Sequence, residues 1–389
     1  MAPEKQWIVR YKHYVSEDLQ SNHVAEIKRL TVNDAVPFHA EIDEKKSFSI
    51  GNETKGYLAT FNEDTRKELD AFPEVYEIEE LQYYKRVNLS QENPPWGLAR
   101  LSNKGPVADR EPVYTYRTEA SGDGVTAYVI DTGINDNHVD FEGRASKGPT
   151  YVQDDPNSGN NDVHGHGTHV AGTIGGKTYG VAKKVELVGI KVFNDKTGSA
   201  STIDIIKALE WVVKNAPIVD SQKKAVANLS LGGPPSPAMD AAIASAVRQG
   251  IVIVVAAGNE GVDADKTSPA REPLAITVGA IDKYDQKPAW SNHGRKIDIF
   301  APGVDVLSAW VAEDKKKSTN DEKLSISGTS MASPHVAGVA ACILSDKTRK
   351  GITNPQDVIG AILIDAEKGT IGNLPSTIRS STLAAVAKI

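Results

Sequence analysis

Three short segments carry residues able to do chemistry together. Asp131-Thr132-Gly133 follows an apolar run, His166-Gly167-Thr168-His169 comes next, and Gly328-Thr329-Ser330-Met331-Ala332 lies toward the C-terminal end. An aspartate, a histidine and a serine are the parts of an activated hydroxyl nucleophile. The imidazole takes the hydroxyl proton, and the carboxylate fixes the imidazole tautomer and steadies its cation.

Each segment alone admits another chemistry. Asp-Thr-Gly also marks aspartic proteases, but those share a proton between two such loops, and the chain has no second Asp-Thr-Gly or Asp-Ser-Gly. The segment around Ser330 nearly matches the nucleophile elbow of α/β-hydrolases, which place the acid and then the histidine after the serine. Only 59 residues follow Ser330, and their sole histidine, His335, is five positions on in the same expected helix. Asp162, His164, His166 and His169 form a dense group of metal-ligand types. Binuclear zinc hydrolases with this histidine spacing carry an Asp just before the third His, where Thr168 stands here, and no further ligand set follows. His164 then reads as a loop residue and His169 as structural.

The elements that must position these segments are strands and helices in alternation. Ala127-Tyr128-Val129-Ile130, Ala225-Val226-Ala227-Asn228-Leu229 and Ile251-Val252-Ile253-Val254-Val255 are short and rich in β-branched residues. Between them run helical patterns, such as Ile203-Ile206-Leu209-Val213 and the stretch after Ser236. Apolar strands alternating with helices predict an α/β fold, a doubly wound, mostly parallel sheet covered on both faces, with ligands beyond the strands' carboxyl ends. Ser330 is expected at a helix N-terminus, with Pro334 in the first turn and free amides facing a developing oxyanion.

Ahead of this unit, residues 6–86 predict a small α+β domain. Trp7–Tyr11 reads as a strand, Ser16 as the cap of a helix bearing Val24, Ile27 and Leu30, and strands follow near Phe48–Ile50 and Gly56–Phe61. Asn62 caps a second helix through Leu69, and Val75–Ile78 closes a βαββαβ, ferredoxin-like order. Residues 85–106, rich in Asn, Ser, Gln, Pro and Gly with Pro94-Pro95 at the centre, predict a linker without regular structure.

Bulk properties bound the rest. The 389 residues, 40% hydrophobic and 24% charged, suffice for one large domain and a small one. A net charge of -7 leaves no basic footprint for nucleic acid, and no apolar run approaches the roughly 20 residues of a membrane span. Met1-Ala2-Pro3-Glu4-Lys5-Gln6 lacks the apolar core of a secretion signal. Cys342, the only cysteine, excludes an intrachain disulfide and is expected to be an inert core thiol.

Taken together, Asp131-Thr132-Gly133, the run from His166 to Gly172 and the run from Gly328 to His335 match, in order, the three signatures of the subtilisin superfamily. Pro95-Trp96-Gly97-Leu98-Ala99-Arg100 resembles the mature start of proteinase K-like enzymes, so the resemblance covers essentially the whole chain. It implies a serine endopeptidase made as a zymogen: residues 1–88 an inhibitor-type propeptide, with Gly56-Tyr57 and Phe61 in its pattern, and residues 89–389 the peptidase domain. Ser330 is then the nucleophile, His166 the general base and acid, Asp131 the third member, and Asn259 the oxyanion-hole side chain. Intact Asp131, His166, Ser330 and Asn259 argue against a silent binding protein.

The same resemblance assigns Ser230, Leu231, Gly232, Ala256, Ala257 and Gly258 to the first specificity pocket, and Gly198, Ser199 and Ala200 to an edge that pairs with extended substrate. Small apolar walls without a carboxylate among those residues imply apolar or aromatic side chains before the scissile bond, with shallow discrimination. No cofactor is implied for catalysis. A structural calcium is implied at Asp298 with the carbonyls of Pro273 and Ala275, while a weaker site lacks its carboxylate at Thr370. Proteinase K's disulfide positions correspond to Thr126, Ile276 and Val358.

Implied partners are polypeptide substrates and the chain's own propeptide, as inhibitor and folding aid, with neither membrane nor nucleic acid and a monomeric enzyme. The self-cut is expected between Tyr84 and Glu92, at Asn88-Leu89, with Lys85-Arg86 an alternative for another protease. The sequons at Asn52 and Asn88 fall in the propeptide. The resemblance implies secretion or a vacuole, whereas the lone cysteine and the polar start are compatible with the cytosol.

Overall fold

Period-two burial organises the first strand of the chain: Trp7, Val9 and Tyr11 are buried along β1 (Lys5–Tyr11), and the residues between them are half-buried. The computed structural model describes residues 4–31, 38–51, 53–82, 88–108, 112–152, 159–219, 222–312, 319–374, 385, 386 and 388. These divide into two compact units, Met1–Arg86 and Val87–Ile389. Residues 83–87, which hold Lys85-Arg86 and the start of the segment expected to carry the self-cut, lie outside the described residues, as does Asn52, whereas the expected bond Asn88-Leu89 falls at the start of the described stretch 88–108.

In the first unit, α1 (Glu17–Thr31) follows Ser16, whose hydroxyl accepts from Leu19 N, and buries His23 and Ile27. Then come β2 (Ala40–Ile50), β3 (Thr54–Phe61), α2 (Glu63–Asp70) and β4 (Val75–Glu80). Asn62 Oδ1 caps α2 by accepting from Asp64 N at 3.0 Å and Thr65 N at 2.9 Å. The sheet order β2-β3-β1-β4, antiparallel throughout, is the ferredoxin-like arrangement. β2 begins at Ala40, earlier than its apolar end at Phe48–Ile50 suggests. Its charged first half is carried by pairing with β3, and the register shifts between Asp43 and Phe48.

From Asn88 on, the expected linker instead holds regular structure. β5 (Asn88–Glu92) pairs antiparallel with β6 (Val113–Arg117), and α3 (Trp96–Ser102) starts directly after Pro95. Pro95 sits at the N-cap, where a missing N–H costs nothing, so Pro94-Pro95 precedes the helix rather than breaking it. α3 delivers Arg100 into the core. Its guanidinium forks onto Asp285 at 2.7 and 3.0 Å and also donates to Glu367 Oε2 at 3.0 Å.

The main sheet is assembled from β7 (Thr126–Asp131), β8 (Ala145–Thr150), β9 (Glu186–Lys191), β12 (Ala225–Leu229), β13 (Val252–Ala256), β14 (Ile276–Ile281), β15 (Ile299–Pro302), β18 (Glu367–Lys368) and β19 (Ala385–Val386). The helices between are α4 (His166–Gly175), α5 (Thr202–Asn215), α6 (Pro237–Arg248), α7 (Thr329–Ser345) and α8 (Pro355–Asp365), with short hairpins β10 (Ile218–Val219)/β11 (Gln222–Lys223) and β16 (Val306–Ala309)/β17 (Lys323–Ile326). The strand order is β18-β19-β15-β14-β13-β12-β7-β9-β8, parallel except for β18 against β19.

Both faces are apolar, which explains the continuous hydrophobic strands. Val129, Val226, Val252 and Val254 pack toward α4 and α7, whereas Ile130, Ala227, Ile253 and Val255 pack toward α5 and α6. One helix is rotated from the sequence expectation: α5 buries Ile205, Ala208, Leu209 and Val212, and leaves Ile203 49% exposed. Ile276 and Val358, two of the positions matching disulfide cysteines elsewhere, lie in the apolar core instead. Cys342 is buried, and burial pushes its thiol up to about 12.

Candidate active site

The chemistry-bearing segments meet where the parallel strands end. Asp131 is the last residue of β7, His166 the first of α4, Ser230 follows β12, Asn259 follows β13 and Ser330 is the second residue of α7. Close backbone approach dictates the glycines between them: a Cβ on Gly167 would stand 2.2 Å from the Gly133 carbonyl. The first turn of α4 therefore rests directly on the Asp-Thr-Gly loop.

Asp131 is fully buried, and its Oδ1 faces His166 Nδ1 at 2.7 Å while accepting from Thr132 N at 2.7 Å. Its Oδ2 has no partner among the described residues. Burial works against the His166 imidazolium, but the charge and hydrogen bond of Asp131, aided by the charge of Asp162, outweigh it and hold His166 above the usual histidine range.

Ser330 sits where α7 opens, and its hydroxyl donates to the Ser230 carbonyl at 3.2 Å. No hydrogen bond joins it to His166 among the described residues. Asn259 Oδ1 accepts from Thr329 N and Thr329 Oγ1, both at 2.9 Å, which fixes the side-chain amide at the start of α7. A Cβ on Gly328 would lie 3.6 Å from Asn259 Nδ2 and 3.6 Å from Ser330 N, so the two nitrogens lie close to one point beside the serine.

Pro334 lies in the second turn of α7, not the first as expected. Lacking an N–H, it leaves the Ser330 carbonyl without a helical donor, and Ser230 Oγ supplies one at 2.8 Å.

A cavity of about 250 Å³ adjoins this end of the sheet. Gly232, Ala256, Ala257 and Gly258, four of the residues assigned to the specificity pocket, line it together with Gly233, Pro234, Glu260, Lys266 and Thr267. Ser230, Leu231, Gly198, Ser199 and Ala200 do not. Gly198 and Ser199 are exposed outside any ladder, and the Ser199 carbonyl accepts from Asn194 N. Glu260, outside the residues assigned to the pocket, adds a carboxylate to the lining of this cavity. The chain turns back after Asn259, Asn292 Nδ2 holds Glu260 Oε2 at 2.9 Å, and Gly258, at φ +101°, leaves the room a Cβ would take.

The Subtilase family model matches residues 122–378, a span holding Asp131, His166, Asn259 and Ser330. The chain belongs to the subtilase family. Alkaline protease 1 of Aspergillus clavatus is 43% identical over 338 residues, 87% of this chain and 78% of that protein. Proteinase R of Parengyodontium album is 42% identical over 292 residues, 75% of this chain and 70% of that one. A solved structure of a cold adapted subtilisin-like serine proteinase is 43% identical and covers 72% of this chain and 94% of its own, with a TM-score of 0.63. This subtilase is a serine endopeptidase of the proteinase K branch, and its hydrolysis draws on no cofactor.

The other polar groups near the subtilase site are committed elsewhere. Asp162, 5% exposed, accepts five hydrogen bonds: from Thr132 Oγ1, His164 N and Gly165 N on Oδ1, and from Thr168 N and Thr168 Oγ1 on Oδ2. His169 Nε2 faces the Val306 and Leu324 carbonyls, and burial lowers its pKa to about 4. Among the described residues the group Asp162, His164, His166 and His169 therefore does not converge as a metal site. His335 is buried on the Met331 carbonyl, a structural position.

Asp298 stands opposite Thr277, which lies shortly after Pro273 and Ala275 in the chain, and exchanges backbone and side-chain hydrogen bonds with it at the entry to β14 and β15. Burial raises its carboxyl to about 6, against the Thr277 amide and Lys296, which lower it. A desolvated carboxylate in that setting suits a hard cation. No helix among the described residues is long and apolar enough to cross a membrane.

Proposed function

We propose that Ser330, His166 and Asp131 form the catalytic triad. The observation that carries this reading is the 2.7 Å contact of Asp131 Oδ1 with His166 Nδ1, which leaves His166 Nε2 as the nitrogen for the serine. In the first step the Ser330 hydroxyl turns from the Ser230 carbonyl toward His166 and attacks the scissile carbonyl as the imidazole takes its proton. Asn259 Nδ2 and Ser330 N donate to the oxyanion, and His166 then protonates the leaving amine. Water repeats the sequence on the acyl-enzyme.

The cavity walled by Gly232, Ala256 and Gly258 supports an apolar or aromatic side chain before the scissile bond. Glu260 and Lys266, both in its lining, carry opposite charges. Gly198 to Ala200 would pair with the substrate backbone. Residues 1–88 act as inhibitor and folding aid, a reading supported by the ferredoxin-like unit and by a sheet whose non-local pairings form slowly unaided. Asp298, with the Pro273 and Ala275 carbonyls, would hold a structural calcium. Polypeptides are the substrates, the enzyme is a monomer, and it is secreted or vacuolar.

The test is the mass of wild type and Ser330→Ala made in a host lacking other proteases. Loss of the propeptide at Asn88-Leu89 in the wild type alone supports self-processing. Trimming of Ser330→Ala after Arg86 at the same rate assigns the cut to another enzyme.

A further inference from the structure

We infer that Asp162 is a positioning residue for the Asp131–His166 pair, a buried carboxylate that anchors both partners and keeps a second negative charge behind the imidazole. This rests on the triad reading above. Thr132, next to Asp131, donates its hydroxyl to Asp162 Oδ1 at 2.9 Å and accepts from Gly167 N, next to His166, at 2.9 Å. Gly165 N and Thr168 N, on either side of His166, donate to the same carboxylate at 2.8 and 2.9 Å. Both strand end and helix start are thus referred to one carboxylate, whose position four residues before His166 lets it cap α4 from outside.

The cap is charged because it is also electrostatic. The groups facing His166 are Asp131 from β7, Asp162 from the loop before α4, His169 within α4, and the His164 ring at 6.4 Å. Of these, only the two aspartates favour the imidazolium. From the end of β9, buried Lys191 donates to the Thr132 carbonyl at 2.8 Å and to the Asn161 carbonyl at 3.1 Å, and is itself paired with Asp195. Lys191 therefore braces the two loops while its charge is taken by Asp195.

The two roles separate in the pH profile of kcat/KM for wild type, Asp162→Asn, Thr132→Val and Thr132→Ser on a small peptide amide. Asp162→Asn removes the charge, so its acid limb moves to lower pH, and its amide opposes Thr168 N, so its plateau also falls. Thr132→Val breaks the link without changing charge: the limb stays at the wild-type pH while the plateau drops about 10- to 100-fold. Thr132→Ser restores the plateau. An unmoved limb in folded, active Asp162→Asn overturns the electrostatic role, and a wild-type plateau in Thr132→Val overturns the positioning role. If a thermal melt shows Asp162→Asn unfolded, the threonine pair decides: a Thr132→Val loss with Thr132→Ser rescue supports the assignment, and no loss overturns it. Cleavage by Ser330→Ala overturns the triad reading and Asp162's role with it, whereas the outcomes above strike Asp162 alone.

Discussion

Ser230 and Ser330 hold one another: Ser230 Oγ donates to the Ser330 carbonyl at 2.8 Å, and Ser330 Oγ donates to the Ser230 carbonyl at 3.2 Å. Since the Ser230 hydroxyl has one proton, Ser333 Oγ, 3.0 Å away, acts as donor to it, as does Asn228 Nδ2. The arrangement exists because Pro334 cannot serve the Ser330 carbonyl. Ser230→Ala is therefore expected to cost about 1–3 kcal/mol of stability, by leaving a buried acceptor unpaired, and to lower kcat. Adding Pro334→Ala restores an N–H donor. Denaturant melts of the two single variants and the double variant should show less loss in the double than the single effects sum to.

His166 is held above the ordinary histidine pKa by Asp131 and Asp162 against the opposing effect of burial. A general base must be neutral, so the acid limb of kcat/KM is expected above about pH 6.5, the value for free histidine. The same shift has a stability sign. A raised folded pKa contributes stability that is fully present below about 6.5 and lost as pH rises through the folded value. A pH series of kcat/KM checks the first statement, and thermal melts of wild type against His166→Ala check the second.

Much of this was legible in the sequence, for a physical reason. Strands such as Val252–Ala256 are buried on both faces, so their apolar runs announce a parallel sheet, and the segments around Asp131, His166 and Ser330 are short enough to read as motifs. What was missed depends on partners far along the chain. β5 is polar and exists by pairing with β6, α5 turns a face set by its neighbours, and Glu260 in the cavity wall is held by Asn292 from a distant loop. Asp162 appeared as a metal-ligand candidate, although an aspartate shortly before a helix start is equally a capping signal.

Arg100 and Asp285 are both fully buried and joined by two hydrogen bonds, with Glu367 on the outer side. Removing one partner leaves an uncompensated buried charge. Arg100→Ala is expected to destabilise the peptidase unit by about 3–5 kcal/mol, measurable by denaturant unfolding, with the triad geometry and pH profile unchanged.

Asp298 makes the calcium proposal testable through pH. Its carboxyl is raised to about 6 by burial, so without a cation the stability it contributes is present below about pH 3.8 and lost as pH rises through about 6. Calcium binds the ionised form. The calcium-dependent rise in Tm is therefore expected to be small below about pH 6 and to grow above it, and Asp298→Asn should abolish it. An undiminished calcium response in Asp298→Asn places the ion elsewhere.

The central claim is that Ser330 is a nucleophile made reactive by His166. Its most direct measurement is the mass of the mature enzyme after treatment with a serine-directed phosphonyl fluoride, followed by mapping of the modified peptide. The account predicts one adduct per chain, on Ser330, with activity lost in proportion, and negligible labelling of His166→Ala. Full activity with Ser330 unmodified, or inactivation by a zinc chelator with no adduct, would contradict it.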